Sequence, residues 1–357
     1  MTAFLDIDLR AIADNWRLLA QLNNRGETAA VVKADAYGLG AAQVAPALAA
    51  AGCGTFFTAH LAEAVALRPI LPGARILALN GLAPHAAADF VAHDIIPVLG
   101  SLQDIALWRA EALGLGRLLP AFLHLETGMW RLALDALDIS KLTEDPSLLA
   151  GIKVDTVITH LINAEHPEDE RNHHQLNAFL THATRFSGAR LSIANSPGSF
   201  LGTAFQLDLT RPGAALYGLN TSPLQPRKMS PVVRLTAPIL QIHEIPAGTS
   251  IGYGGVWTAK RHSRIATIGV GYGDGFLRSL TNHARAYFDD APIPLVGRVS
   301  MDLTTFDVTD VPAQPGSHLV LLDNRHGVDE LGQEASTIGY EILTSLGRRY
   351  QRRYIGV

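Results

Sequence analysis

A single cysteine, Cys53, in 357 residues excludes an intramolecular disulfide and any zinc site built from several cysteines. A reducing compartment is the expectation. No uncharged apolar run approaches the ~20 residues of a membrane-spanning helix, and the opening Met1-Thr2-Ala3-Phe4-Leu5-Asp6-Ile7-Asp8 has acids where a secretory signal needs a cationic start. The chain therefore reads as cytoplasmic. Charge of one sign is also scarce: 29 Lys and Arg against 33 Asp and Glu give a net charge of −4, leaving no basic excess to hold a nucleic-acid backbone or an anionic membrane.

What is present is apolar material. Hydrophobic residues make up 48% of the chain and charged residues 17%, the balance of a folded globular protein. The length exceeds what one hydrophobic core usually serves, so at least two domains are expected. Eight β-rich runs punctuate the first two thirds: Ala29–Lys33, Thr55–Ala59, Ile76–Asn80, Ile95–Leu99, Ala121–Glu126, Thr156–His160, Arg190–Asn195 and Ala214–Gly218. Amphipathic stretches such as Leu9–Leu22, Ala41–Ala51, Leu102–Leu113 and Glu170–Phe186 lie between them. This alternation predicts βα units and, at eight repeats, an α/β fold of the (β/α)8 type. A doubly wound sheet competes, but no dinucleotide signature follows the first strand.

After Gly218 the texture changes. Pro223-Leu224-Gln225-Pro226-Arg227-Lys228 has linker character. Val232–Ile245, Arg264–Val270, Ala286–Phe288, Pro294–Val299, Thr304–Val308 and His318–Leu322 read as an antiparallel β domain, with a closing helix over Thr337–Gly347. The expected division is a barrel over 1–222 and a β domain over 223–357.

Lys33, after Val31 and Val32, falls where a barrel strand would end, at the face that carries active sites. Such a lysine either snorkels into solvent or is a desolvated Schiff-base amine, and pattern alone does not choose. Tyr253 between glycines reads equally as a turn residue, and Arg211 as a partner for an acid such as Asp208. The run Gly269, Gly271, Gly273, Gly275 follows a late strand without a βαβ unit, so a dinucleotide site is not expected. His166, His173 and His174 lack metal-ligand spacing and read as a solvated surface. Arg348–Tyr354 reads as a solvated tail with one anchoring aromatic.

The segment Val31-Val32-Lys33-Ala34-Asp35-Ala36-Tyr37-Gly38-Leu39-Gly40 closely resembles the pyridoxal-phosphate lysine motif of the alanine racemases. Six further segments agree in order: Thr127-Gly128-Met129 with Arg131, Thr159-His160, Asn195-Ser196, Arg211 to Gly218, Gly252-Tyr253-Gly254, and Gly297 to Asp302. The resemblance covers essentially the whole chain and implies a (β/α)8 barrel followed by a β domain. It further implies a cytoplasmic homodimeric enzyme that uses pyridoxal phosphate to interconvert L- and D-alanine, supplying D-alanine for peptidoglycan.

Roles follow position by position. Lys33 would hold the cofactor and serve as one of two bases, with Tyr253 as the other on the opposite face. A phenol needs positive charge or hydrogen bonds nearby to act as a base, and His160 is the candidate for that support. Arg211 would face the pyridine nitrogen. Asn195 would position the ring, and Tyr37, Ser196, Gly213, Ala214 and, less directly, Tyr350 would hold the phosphate. Arg131, Met301 and Tyr272 would meet the substrate. In the family the Tyr253 and Met301 segments complete the partner subunit's site. Serine is an alternative substrate. A decarboxylase of this fold would use a C-terminal cysteine and a triple-glycine phosphate loop, neither present, and a non-catalytic cofactor carrier would lack the second domain. One departure stands out: where many relatives have a lysine, often carbamylated, this chain has His124, which cannot supply an anion to Arg131. A bound anion such as chloride, a carboxylate such as Glu126, or a pocket rearranged around Trp130 would take that place.

Overall fold

Short strands of buried residues build the first sheet. In the computed structural model, which describes residues 2–23 and 25–356, seven strands run parallel in sequence order: Ala30–Val31, Thr55–Thr58, Arg75–Ala78, Ile96–Leu99, Leu119–His124, Ile152–Ile158 and Arg190–Ser192. Thr55, Phe56, Phe57 and Thr58 are all buried, as a parallel strand covered on both faces requires. The eighth strand is Leu209–Thr210, which pairs in parallel with Glu27–Thr28 at the start of the first strand. The Asp208 N–H donates to the Leu191 carbonyl at 3.1 Å and the Arg211 N–H to the Ala194 carbonyl at 2.9 Å. These bonds close the ring, giving the expected (β/α)8 barrel.

Two local expectations fail. Ala214–Gly218 is not the eighth strand; Ala214–Tyr217 form a 3-10 turn. Its apolar residues are buried as a strand's would be, but the backbone N–H groups of Gly213 and Ala215 are taken by the Ser196 hydroxyl, at 2.9 and 3.2 Å, rather than by a neighbouring strand. The first strand stops at Val31, two residues before Lys33.

The chain divides into two compact units that do not follow one cut. The barrel unit comprises Ile12–Ala36 and Gly40–Met229. The other takes the segment through Ala11, Tyr37–Leu39 and everything from Ser230. Its sheet is mainly antiparallel, centred on the long strand Val233–Ile245, which pairs with Phe4–Asp8, Ser263–Ile268 and His318–Leu322. Arg285–Phe288, Ala291–Pro294 and Thr304–Asp307 extend it. The strand expected over Pro294–Val299 lies earlier, at Ala291–Pro294, because the hairpin turns at Asp289 (φ 50°). A helix at Val328–Glu334 precedes the anticipated closing helix, observed at Gly339–Ser345.

The supposed solvated tail is an edge strand. Gln351–Ile355 pairs in parallel with Phe4–Asp8. Arg353 grips the Asp6 carboxylate through Nε at 2.5 Å and Nη2 at 2.8 Å, and its guanidinium lies 4.6 Å from the centre of the Phe4 ring. Charged residues on an edge strand are common protection against further pairing, and here that pattern conceals the strand. Among the described residues, no helix is long and apolar enough to cross a membrane.

Inside the barrel, the fully buried Phe57 and Phe122 rings meet edge to face at 6.0 Å. Phe122→Ala should cost about 3–5 kcal/mol, seen in urea as a lower unfolding midpoint at unchanged slope. A loss under about 1 kcal/mol would mean that the interior collapses to refill the space.

Candidate active site

Beyond Val32 the backbone enters an unusual conformation. Ala34, Asp35, Ala36 and Tyr37 have φ of 54°, 55°, 55° and 55°, one left-handed turn of non-glycine residues. Each such residue costs roughly 1–2 kcal/mol, so the surroundings must impose the turn. They do so through four contacts. The Ala36 N–H donates to the Val32 carbonyl at 2.9 Å, Gly40 N–H to the Asp35 carbonyl at 2.8 Å, Ala41 N–H to Asp35 Oδ1 at 2.8 Å, and Ala34 N–H to Glu63 Oε1 at 2.6 Å. The turn starts at half-buried Lys33. Burial, and then Arg131, push the lysine below its ordinary pKa, while Glu63 acts in the opposite sense.

The other charged groups here are cations. Arg211 is buried, donating to the Thr159 carbonyl at 2.5 Å and to the Ser192 hydroxyl. Burial lowers its pKa to about 10. It forms no ion pair among the described residues; Asp208, its alternative partner, accepts the Leu191 N–H at 2.8 Å instead. His124, at the end of its strand, falls to about 3 through burial, Arg211 and Arg131. His160 is driven well below the usual histidine range by burial first and then by Arg211, Arg131, His124 and Lys33. Both imidazoles are therefore neutral at physiological pH.

Arg131 is exposed and, among the described residues, has no ion-pair partner. Glu126 does not supply one. Its carboxylate accepts the Gly128 N–H at 2.5 Å and the Trp130 N–H at 2.7 Å, shaping a loop in which Trp130 (φ 53°) stands 78% exposed.

Sequence reasoning missed the side chain that holds this loop. Buried Gln175 donates to Thr127 Oγ1 at 3.1 Å and to the His160 carbonyl at 2.9 Å, and accepts the Ile162 N–H at 3.0 Å. One amide thus ties the loop bearing Arg131 to the strand end bearing His160, reinforced by the 2.7 Å bond between the Thr127 and Thr159 hydroxyls. A glutamine on an amphipathic helix offers no sequence signal for this. Glu63 does: it stands third in the helix Leu61–Leu67, and its Oε2 reaches back to the N–H groups of Ala59 and His60 at 2.8 and 3.1 Å, the acidic half of a capping box.

Asn195 and Ser196 form the next part. Asn195 accepts the Gly198 N–H at 3.0 Å and donates to the Leu161 carbonyl at 3.3 Å. The Ser196 hydroxyl gathers the N–H groups of Gly213 and Ala215, placing Ala214, the first residue of the 3-10 turn, beside it.

Within the other unit, Tyr253 is 72% exposed at the tip between the paired strands Ser250–Ile251 and Trp257–Thr258. Tyr272 and Met301 are exposed on two joined loops, in which the Tyr272 N–H donates to the Ser300 carbonyl at 3.0 Å and the Gly273 N–H to the Met301 carbonyl at 2.8 Å. The glycine run permits this approach, since a Cβ on Gly271 would stand 2.3 Å from the Ser300 oxygen. Arg349, another residue missed as part of the tail, bridges both loops through Asp274 and Asp302, each at 2.7 Å. Tyr37 is buried with its ring 6.3 Å from that of Tyr340, and burial raises its phenol to about 12. Buried Tyr350 has a hydroxyl without a hydrogen-bond partner among the described residues, and burial raises its pKa. Of the set-aside histidines, His166 lies 3.9 Å from Glu168 on the surface and His173 packs edge-on against Phe205.

Two family models cover nearly the whole chain: alanine racemase, N-terminal domain, over residues 7–221, and alanine racemase, C-terminal domain, over residues 232–354. The chain belongs to the alanine racemase family. The alanine racemase of Acidiphilium cryptum is 53% identical over 98% of this chain and 97% of its own length; that of Rhodospirillum rubrum is 46% identical, covering 100% and 96%. Among solved structures, alanine racemase from Bartonella henselae, described with covalently bound pyridoxal phosphate, superposes with a TM-score of 0.96 at 39% identity, covering 99% of this chain and all of that one. The biosynthetic enzyme of Pseudomonas aeruginosa gives 0.90 at 30% identity, covering 99% of each chain.

The neutral histidines have a consequence for stability. In the unfolded chain His124 titrates near 6.5, in the folded chain near 3. Between these values the unfolded state holds a proton that the folded state lacks, so stability present above pH 6.5 is lost as pH falls toward 3. His124→Gln should flatten the fall of unfolding free energy across that window, as followed by far-ultraviolet circular dichroism in urea at a series of pH values. Equal slopes for variant and wild type would count against a buried neutral His124.

Proposed function

We propose that this chain is a pyridoxal-phosphate-dependent isomerase that interconverts L-alanine and D-alanine, with Lys33 carrying the cofactor. The observation that carries the reading is the convergence of Lys33, Arg131 and Arg211 in one charge environment with two neutral histidines. Such a site calls for anions, and a phosphate-bearing cofactor and a substrate carboxylate supply them. Ser196 suits a phosphate, since its hydroxyl accepts the Gly213 and Ala215 N–H groups and keeps its own proton to donate; the resemblance assigns Gly213, Ala214, Tyr37 and Tyr350 to the same group. The alternative of a broader racemase remains open to serine, since a site built on apolar contact separates closely similar side chains by only ~1–3 kcal/mol.

Pyridoxal phosphate, when bound, supplies the electron sink that acidifies the α-hydrogen of an amino acid. Lys33 would hold it through Nζ and would also take or return a proton as one of the two bases. Its lowered pKa favours the neutral amine that both tasks need. Tyr253 exchanges the proton on the opposite face through its phenolic oxygen. Arg211 would serve the pyridine nitrogen; a guanidinium does not readily give up a proton, so it would keep the sink weak and restrain side reactions. Asn195 would position the ring, and the resemblance assigns His160, a neutral imidazole, to support the tyrosine. Arg131 directs its fork to the substrate carboxylate, and Met301 and Tyr272 bound the side-chain pocket.

The working form is a cytoplasmic homodimer in which the Tyr253 and Met301 segments complete the site of the partner subunit, with D-alanine destined for peptidoglycan. The exposure of Tyr253, Tyr272 and Met301 supports this, since apolar groups left open on the surface commonly mark an interface.

With cofactor added, the ellipticity of an L-alanine solution should decay to zero while that of L-lysine persists, and borohydride reduction followed by peptide mapping should find the pyridoxyl group on Lys33. A stable L-alanine signal, or a label on Lys153 or Lys228, defeats the reading. For the shared site, mixing the inactive variants Lys33→Ala and Tyr253→Phe should restore activity in hybrid dimers. Tyr253→Phe alone should lower α-proton exchange from L-alanine by about 10²–10⁴-fold, and exchange from D-alanine less. Mixtures as inactive as their components would rule out sharing.

A further inference from the structure

Glu63, to which the resemblance assigns no role, reaches the turn that begins at Lys33. Its two oxygens have different partners. Oε1 accepts the Ala34 N–H at 2.6 Å, inside the left-handed turn, and Oε2 accepts the Ala59 and His60 N–H groups at 2.8 and 3.1 Å, at the end of the neighbouring strand. One carboxylate therefore fastens the strained turn to the adjacent βα junction at the residue immediately after Lys33. A helix cap alone would engage only Ala59 and His60; the bond to Ala34 lies 29 positions away in sequence. We propose that Glu63 is a positioning residue for Lys33, its carboxylate anchoring the turn on which Lys33 stands. The proposal rests on Lys33 being the cofactor lysine.

The groups that act on Lys33 are few. Arg131, from the loop after the strand Leu119–His124, opposes its protonation and Glu63 favours it. His160, at the end of Ile152–Ile158, is neutral. Asp35, the other acid of the turn, is committed to the Ala41 N–H. Removing the charge of Glu63 while keeping an acceptor oxygen leaves Arg131 unopposed, and Nζ then loses its proton at lower pH. Shortening the side chain while keeping the charge slackens the turn instead.

Glu63→Gln and Glu63→Asp separate the two effects. The readouts are the pH dependence of borohydride trapping of pyridoxal phosphate on Lys33, by peptide mapping, and retention of cofactor by the holoenzyme on dialysis. In Glu63→Gln the trapping midpoint should fall by about 0.5–1 pH unit, a modest shift because water reaches this site. In Glu63→Asp the midpoint should stay at the wild-type value while the cofactor dissociates several-fold faster. A cap with no bearing on Lys33 predicts unmoved midpoints in both variants, and that result overturns the proposal. So does wild-type retention in Glu63→Asp, a decisive result even if Glu63→Gln fails to fold. Trapping on a lysine other than Lys33 in the wild type overturns the reading of the site itself, an outcome distinct from either variant comparison.

Discussion

A buried guanidinium without a carboxylate beside it is the constraint around which this site is arranged. Arg211 satisfies two of its donors on the Thr159 carbonyl and the Ser192 hydroxyl, and neutral acceptors do not cancel its charge. Taking an ion out of water is expensive unless something of opposite sign compensates. Burial first, and then Arg211 and Arg131, hold His124 and His160 neutral, while burial and Arg131 draw Lys33 toward the neutral amine. Under the proposed function, the phosphate-bearing cofactor and the substrate carboxylate would bring anions to this cluster of cations. In such a site, affinity for an anionic ligand and instability without it have one cause.

Much of this was legible in the sequence because barrel strands advertise themselves. Runs such as Ile96–Leu99 are apolar throughout, and helices between strands, such as Glu170–Ala183, carry amphipathic periodicity. The eighth strand escaped because it is two residues long, too short for any pattern, and the apolar run beside it is buried as a strand would be while its Gly213 and Ala215 N–H groups go to the Ser196 hydroxyl. The edge strand Gln351–Ile355 escaped for the opposite reason: its arginines imitate a solvated tail, yet Arg353 lies across Phe4 and pairs with Asp6.

The candidate residues divide in the same way. Lys33, Arg211 and Tyr253 stand in motifs that a reader can recognise. Of the groups that hold them, only Glu63 carries a local sign, its place in a capping box, because positioning is a matter of reach across sequence distance. Gln175 joins two loops from a third element, Arg349 joins two loops from near the far end of the chain, and Glu63 joins two strand ends. None of these partners is a sequence neighbour of the group it steadies. The left-handed turn after Lys33 is equally silent, since alanine, aspartate and tyrosine announce no such backbone.

The pairing of Phe4–Asp8 with Gln351–Ile355 sets an order of events during synthesis. Asp6 and Arg353 are separated by 347 positions, and the long strand Val233–Ile245 is the other neighbour of Phe4–Asp8. Phe4–Asp8 therefore stays without both of its strand neighbours until the residues after the barrel have been translated. Contacts of such sequence separation form late and slowly. The apolar side chains of Phe4, Leu5 and Ile7 are the surface that a nascent chain must shield longest, and the acids Asp6 and Asp8 interleaved with them keep that waiting strand soluble.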